Sequence, residues 1–575
     1  MTVAAAPTAG AEEKTILGHP RGLFILFMTE MWERFSYYGM RGLLILYLTQ
    51  HFLFSDEKSS LIYGAYTALV YVMTIIGGSL ADKYLGARKA VTFGAILLTL
   101  GHFGMAFEGN GSRQILSYDD NAYQIALDGR GGDAKQMIIS ESGKSYVTFT
   151  TTQMEIAEPE AVGLPAAIAR DDFTMSVETE ELYKNILFLS LALLIAGVGF
   201  LKANISTIVG SLYGFGDKRR DSGFTIFYMG INLGSFLSSI FCGYLGIVYG
   251  WKYGFGLAGI GMALGLIIFL WFQPWLEGKA EPPCLDKLKE KVFLFIDREW
   301  MCYLIGIGII AVSMFLVMNE KLVGGILGPV GIIMFIFLIY YAITKCAGDE
   351  RGRMLAAIYF VLAQIPFWAL FEQAGSSLSL FTARLVDRTI WGWSVPTPVF
   401  QALNAGYIFL FAPVFAWLWI WLAKRNLNPS TPVKFACGVA FAGLGFLSLV
   451  WGMNGSGSVG LTPVFFIFLI YWIHTVGELM VSPVGLSAVT KLAPVRVVGM
   501  TMGAWFLYSG LSNYLAGVIA RTTGAETIGG QMTDVAAAKA VYIDVYSSVG
   551  YIALGIALAM LLISPVIKKM MHDAD

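Results

Sequence analysis

The chain has 575 residues, 56% of them hydrophobic and 14% charged, with a formal net charge of −1. Soluble proteins carry about 25% charged residues, so the composition excludes a water-soluble globular protein. The apolar runs are continuous and about 20 residues long, which is the helical rather than the barrel signature of a membrane protein, and the net charge by itself points to no partner.

In chain order the apolar runs predict spans at 23–50, 60–80, 88–107, 184–210, 223–245, 253–273, 299–318, 325–343, 354–380, 398–423, 434–452, 461–481, 499–520 and 543–567, fourteen helices in all. The leading MTVAAAPTAGAEEK is polar and the first apolar run is too long for a signal-peptide core, so no cleavable signal is expected. An even number of spans puts both termini on one side. Lys83, Arg88 and Lys89, Lys218 to Arg220, Lys345, Arg351 and Arg353, Lys424, Arg425 and Lys434, Lys491 and Arg496, and Lys568 and Lys569 all fall in connections of that same side. By the positive-inside rule both termini are expected to be cytoplasmic.

The domain boundaries follow. Residues 1–22 read as a cytoplasmic tail, 23–108 with 184–273 as a six-helix bundle, and 109–183 as an extracytoplasmic insertion. Residues 274–353 read as an amphipathic linker (LDKLKEKVFLF) plus a two-helix insert, 354–567 as a second six-helix bundle, and 568–575 as a second cytoplasmic tail. The insertion holds thirteen acids and five bases. In it, QMIISESGKSYVTFT alternates around a Ser-Gly turn and reads as a β-hairpin, and FTMSVETE as a further strand, so a small β-rich subdomain is expected. The five cysteines, Cys242, Cys284, Cys302, Cys346 and Cys437, show no metal-ligand spacing and read as apolar fillers. No GxxxxGK[ST] motif is present, so direct ATP drive is not expected, and no cofactor is implied.

Charges inside the spans carry the chemistry. In TEMWERFSYYGMRGLLILYL, Glu30, Arg34, Tyr37 and Arg41 recur at helical spacing and share one face, flanked by Glu33 and Tyr38. Lys202 lies in GVGFLKANISTIVG, Glu372 in IPFWALFEQAGSS and Glu478 in IHTVGELMVSPVG. A charge at the bilayer centre costs at least about 2.5–3.5 kcal/mol, so each needs a partner, water or a substrate. The set comprises three bases (Arg34, Arg41, Lys202) and four acids (Glu30, Glu33, Glu372, Glu478), which one bound proton would neutralise. That favours proton coupling without choosing the carboxylate. Two six-helix halves suit a transporter with its site at the midplane between them.

These motifs resemble the proton-dependent oligopeptide transporter family of the major facilitator superfamily. The resemblance rests on ExxERFxYYGMR at Glu30–Arg41, GFLKxNxSxxxGxLY at Gly199–Tyr213, FYxxINxG at Phe227–Gly234, FWAxxEQ at Phe367–Gln373 and GELxxSPVGLS at Gly477–Ser487. GGSLADKYLGARK, Gly77 to Lys89, resembles the superfamily loop. The resemblance implies a major facilitator fold of two six-helix bundles with two extra helices. It further implies a symporter importing di- and tripeptides with protons across a bacterial inner membrane, monomeric, with no nucleic-acid partner.

By the same resemblance, Arg34 and Lys202 would engage the peptide carboxylate and Glu478 its ammonium, with Tyr38 and Tyr71 lining the region. Asn232 and Asn404 would hydrogen-bond the backbone and amino end, and Trp368 and Trp505 would form apolar walls. Glu30 and Glu33 would share Lys202, a Lys202–Glu478 bridge would help close the inner side, and Arg41 with Glu372 the outer side. His474, one turn before Glu478, reads first as a packing histidine and second as a proton relay. Mammalian members carry a second-helix histidine that handles protons; the aligned residue here is Gly64, which leaves the glutamates as the main candidates. Another substrate of the same fold, such as nitrate, an amino-acid derivative or a drug, is the alternative. A receptor fits less well, and an enzyme would need a nucleophile–base pair or metal cluster that the sequence does not display.

Overall fold

A computed structural model describes residues 14–128, 135–214, 216–293, 295–528 and 531–572. Long helices dominate it, because in a chain this apolar the helix alone satisfies every backbone group within one segment. Six come first: α1 (Arg21–Gln50), α2 (Asp56–Leu80), α3 (Gly86–Met105), α4 (Glu181–Ser211), α5 (Arg220–Val248) and α6 (Trp251–Trp271). A hairpin of α7 (Arg298–Met318) and α8 (Glu320–Lys345) follows. The last six are α9 (Asp349–Phe371), α10 (Ala402–Ala423), α11 (Thr431–Gly455), α12 (Phe465–Leu492), α13 (Val498–Arg521) and α14 (Val535–Met571).

Among the described residues, eleven helical runs are long and apolar enough to cross a membrane. One of them, Asp56–Met105, contains both α2 and α3. Two further helices coincide with expected spans but fall outside the eleven. The stripe of charges weakens α1 by that measure, and Ser509, Ser512, Asn513 and Tyr514 make α13 too polar.

The buried apolar side chains form two main cores. One runs through α1 to α6 and takes in one side of the α7–α8 hairpin. The other gathers α9 to α14 with the last turns of α8. Most of each core comes from one six-helix group, with Leu380, Leu507 and Tyr514 of the second group joining the first core. The two groups meet tightly where α2 crosses α13. There Gly64 faces Gly517, and a Cβ on Gly64 would lie 2.9 Å from the Gly517 Cα. A histidine at position 64 is incompatible with this packing.

Between α3 and α4 lies an antiparallel sheet built from β1 (Arg113–Tyr118), β2 (Asn121–Asp128), β3 (Lys135–Ile139), β4 (Lys144–Phe149), β5 (Gln153–Ile156), β6 (Ala167–Ala169) and β7 (Thr174–Glu178). The strand order is β6-β5-β4-β3-β2-β1-β7. The Ser-Gly hairpin is β3–β4, with Ile138 opposite Ser145, and the further strand is β7, which pairs with β1. Alternate residues such as Ile125, Ile138, Val147 and Met154 point into a small separate core, which is the period-2 pattern read from the sequence.

Three local features differ from the sequence reading. The span read as 354–380 is broken: α9 ends at Phe371, Glu372–Gly375 form a 3₁₀ turn, and a second helix runs over Ser377–Leu385. The break admits the Tyr63 hydroxyl, which sits so close to Gly375 that no side chain fits there. The linker is no single amphipathic element but a short helix, Leu285–Lys289, then paired strands at Lys291–Phe293 and Ile296–Asp297. The 568–575 tail begins inside α14, whose last turn carries Lys568 and Lys569, bases favoured at a helix C-terminus.

Candidate functional site

The four-residue step from Glu30 to Arg34 puts both side chains on one face of α1, where they pair. Arg34 Nε lies 3.0 Å from Glu30 Oε1 and 2.5 Å from Glu33 Oε2, and all three side chains are buried. The pairing is incomplete. Arg34 Nη2, Glu30 Oε2 and Glu33 Oε1 are buried without a hydrogen-bond partner. Buried polar groups are rarely left so, and a charged one is costly unless something else comes to it. The Arg34 guanidinium also lies 5.5 Å from the Tyr37 ring.

Two turns on, Arg41 forms a second cluster nearer the sheet-bearing end. Its Nη2 contacts Glu372 Oε2 across the two helix groups, and its Nε donates to Tyr63 Oη at 2.6 Å. Its guanidinium lies 5.9 Å from the Tyr38 ring, so Tyr38 stands between the two arginine clusters. The expected Arg41–Glu372 pairing is present, and Tyr63 is a member that sequence reasoning missed.

The other expected pairings are arranged differently. Glu30 and Glu33 pair with Arg34, not with Lys202. Lys202 Nζ instead sits 4.2 Å from the centre of the Tyr71 ring, within Coulombic reach of Glu33. Lys202 and Glu478 are not bridged. Glu478 Oε2 accepts from Asn404 Nδ2 at 2.8 Å, and the same nitrogen lies 3.1 Å from Thr475 Oγ1. A neutral donor thus holds Glu478 where a cation was expected. Asn232 Nδ2 donates to its own helix at Tyr228 O, 3.1 Å, so in this state it is turned back on α5. His474 Nε2 lies 3.0 Å from Ala442 O, the packing role read first.

Beside these groups is a cavity of about 130 Å³, lined by Tyr71, Trp368, Ser482, Leu486, Trp505, Phe506, Ser509 and Asn513. Tyr71, Trp368 and Trp505 were expected there. The others extend two of the same faces: Ser482 and Leu486 follow Glu478 at steps of four on α12, and Ser509 and Asn513 follow Trp505 at steps of four on α13. That spacing was the available signal. Arg34, Lys202 and the Glu30 and Glu33 carboxylates thus lie on the first helix group and Glu478 with its amide and hydroxyl neighbours on the second, while the aromatic cavity is lined by Tyr71, beside Lys202, and by Ser482, one turn past Glu478. Such a site can hold the two oppositely charged ends of a small molecule while tolerating what lies between them.

Known proteins resemble this chain almost end to end. The model of the POT family matches residues 88–535. An uncharacterized transporter, YclF, of Bacillus subtilis is 32% identical over 97% of this chain and 96% of its own length. The peptide transporter YePEPT of Yersinia enterocolitica is 32% identical over 88% of each chain. A solved mutant of the peptide transporter POT, in complex with alafosfalin, is 30% identical, covers 97% of both chains and superposes with a TM-score of 0.73. With the family model spanning most of the helices and relatives aligned almost end to end, this chain belongs to the POT family.

Proposed function

We propose that this chain is a proton-coupled symporter that takes up di- and tripeptides by alternating access between its two helix groups. It acts in a bacterial inner membrane, as a monomer with both termini cytoplasmic and the β-sheet outside. The observation that carries the reading is the division of charge: Arg34 and Lys202 on one group, Glu478 on the other, with an aromatic cavity lined in part by Tyr71, beside Lys202, and Ser482, one turn past Glu478. A zwitterionic peptide complements that division, and a simple anion such as nitrate would leave Glu478 unanswered. The relative from Yersinia, a peptide transporter by name, supports the same substrate class.

The coupling follows from the Arg34 cluster. Two carboxylates compete for one guanidinium, so the cluster is one negative charge in excess. Protonation of one carboxylate balances it and releases Arg34 toward a substrate carboxylate, while Lys202, already close, adds the second cation. Arg41–Glu372 spans the groups near the sheet-bearing end and Lys202–Glu478 stands open. The arrangement is that of a transporter closed outside and open inside, whose inner closure would bring Lys202 to Glu478.

Uptake of labelled dialanine into proteoliposomes under an inward proton gradient tests this. Accumulation is expected with the intact chain, competed by unlabelled di- and tripeptides but not by single amino acids or tetrapeptides. The Glu30→Gln, Glu33→Gln variant is expected to lose gradient-driven accumulation. Retention of pH-dependent accumulation in that variant would remove the coupling mechanism.

A further inference from the structure

The sheet belongs by chain connection to the first helix group, yet its core is completed by the second. Its connections to α3 and α4 are short and pinned. Ser112 N donates to His51 O at 2.8 Å, Ser112 Oγ lies 2.7 Å from Thr179 Oγ1, His51 Nε2 lies 2.7 Å from Glu108 O, and Lys252 N donates to Glu108 Oε2 at 3.0 Å. The sheet is therefore a rigid extension of the first group.

The connection between α13 and α14 reaches up to meet it. Ile528, in a strand pair of that connection, is 3% exposed and packs into the sheet's own apolar core with Leu116, Ile138 and Met154. The Gln136 side-chain amide donates to the Ile528 carbonyl, and Arg170 Nη2 lies 3.1 Å from Glu526 Oε1. At the foot of the same connection, Ala525 N donates to Asp56 Oδ2 at 3.0 Å. An apolar knob, an amide hydrogen bond and an ion pair thus fasten the two groups together outside the helices.

We infer that the sheet is a clasp across the outer face: Ile528 seated in its core holds the two helix groups closed at that end, and the knob must leave its socket each time the outer side opens. This rests on the alternating-access reading above. Removing a buried isoleucine from an apolar socket is worth roughly tenfold or more in a two-state balance, enough to set how often the outer side opens.

Two experiments on the full chain test the clasp. Spin labels at Lys58→Cys, on α2, and Val459→Cys, in the connection between α11 and α12, report the width of the outer face in detergent without any substrate. Both sites are exposed, and the five native cysteines are replaced first. With Ile528→Asp the longer-distance population is expected to rise roughly tenfold. An unchanged distance distribution overturns the clasp. In the second experiment, Gln136→Cys with Ile528→Cys is joined by a short bis-methanethiosulfonate reagent, each thiolate displacing a methanesulfinate to leave a reducible disulfide. Dialanine uptake is expected to stop on cross-linking and return on reduction, and full uptake with the link in place overturns the proposal. Should the unlinked protein move no dipeptide, the transport reading fails and the spin-label distances decide the clasp alone.

Discussion

Arg34 is gripped through one atom, Nε, by two carboxylates, while its Nη2 makes no hydrogen bond. The guanidinium is planar and presents its donors as a fixed fork, so an unoccupied outer nitrogen is shaped for one edge of a carboxylate. A lysine would keep the charge and lose the fork. Hydrogen bonds to charged groups are worth about 1.5–3 kcal/mol. Arg34→Lys is therefore expected to weaken dialanine uptake roughly 10- to 100-fold, mainly in the concentration dependence. Competition of unlabelled dialanine against a labelled peptide measures the affinity directly. An unchanged affinity would show that the peptide carboxylate is held elsewhere, with Lys202 the next group to remove.

At the scale of elements, the two helix groups are joined near the sheet by a second cross-brace besides Arg41–Glu372. Arg384, on the helix Ser377–Leu385, meets Asp56 at the start of α2 through two parallel bonds of 2.6 and 2.9 Å, and both side chains are buried. Breaking a buried pair by removing one partner typically costs about 3–5 kcal/mol, because the other charge stays behind without compensation. Arg384→Gln is expected to lower the midpoint of thermal unfolding and open the outer face. Asp56→Asn combined with Arg384→Gln is expected to recover part of that loss, so the double variant falls short of the sum of the singles. Strict additivity in thermal unfolding would mean that the pair does not act as a unit. This brace was not legible in the sequence. Asp56 sits in SDEK, where it reads as the acidic first turn of a helix capped by Ser55, and Arg384 sits in ARLVDR, where it reads as a solvated charge past a span. Arg41 and Glu372 were legible for the opposite reason, being charges in runs too apolar to ignore. Helices, hairpin and strands were readable because periodicity is local. The partners of Arg34, Lys202 and Glu478 were not, since packing chose among several charges brought to one place.

For the whole molecule, the contact between the two groups is a seam of backbone. Gly64 on α2 and Gly517 on α13 approach so closely that a Cβ on either would lie 2.9 or 2.8 Å from the opposite Cα. Neighbouring atoms there are main chain, which cannot swing aside as a flexible side chain can. A branched residue at position 64 must push α13 away, and α13 carries Trp505, Ser509 and Asn513 of the cavity on the same helix. Closure of the outer face and the shape of the site are thus coupled through one rigid rod. Gly64→Val is expected to leave each helix group folded, because most of each core comes from one group, while displacing the balance away from the closed outer face. Ser60, one turn before Gly64, is fully buried in the closed state. In a chain carrying Ser60→Cys, a membrane-impermeant thiol reagent added from outside is expected to modify that position slowly with Gly64 present and much faster in the Gly64→Val background, as read by peptide mass mapping over time. Dialanine uptake is expected to fall in parallel, since a transporter that cannot seal its outer side cannot carry bound peptide to the inner side. Equal protection of the cysteine in both backgrounds would mean that the seam is not what closes the outer face, and would leave that task to the ion pairs and the sheet.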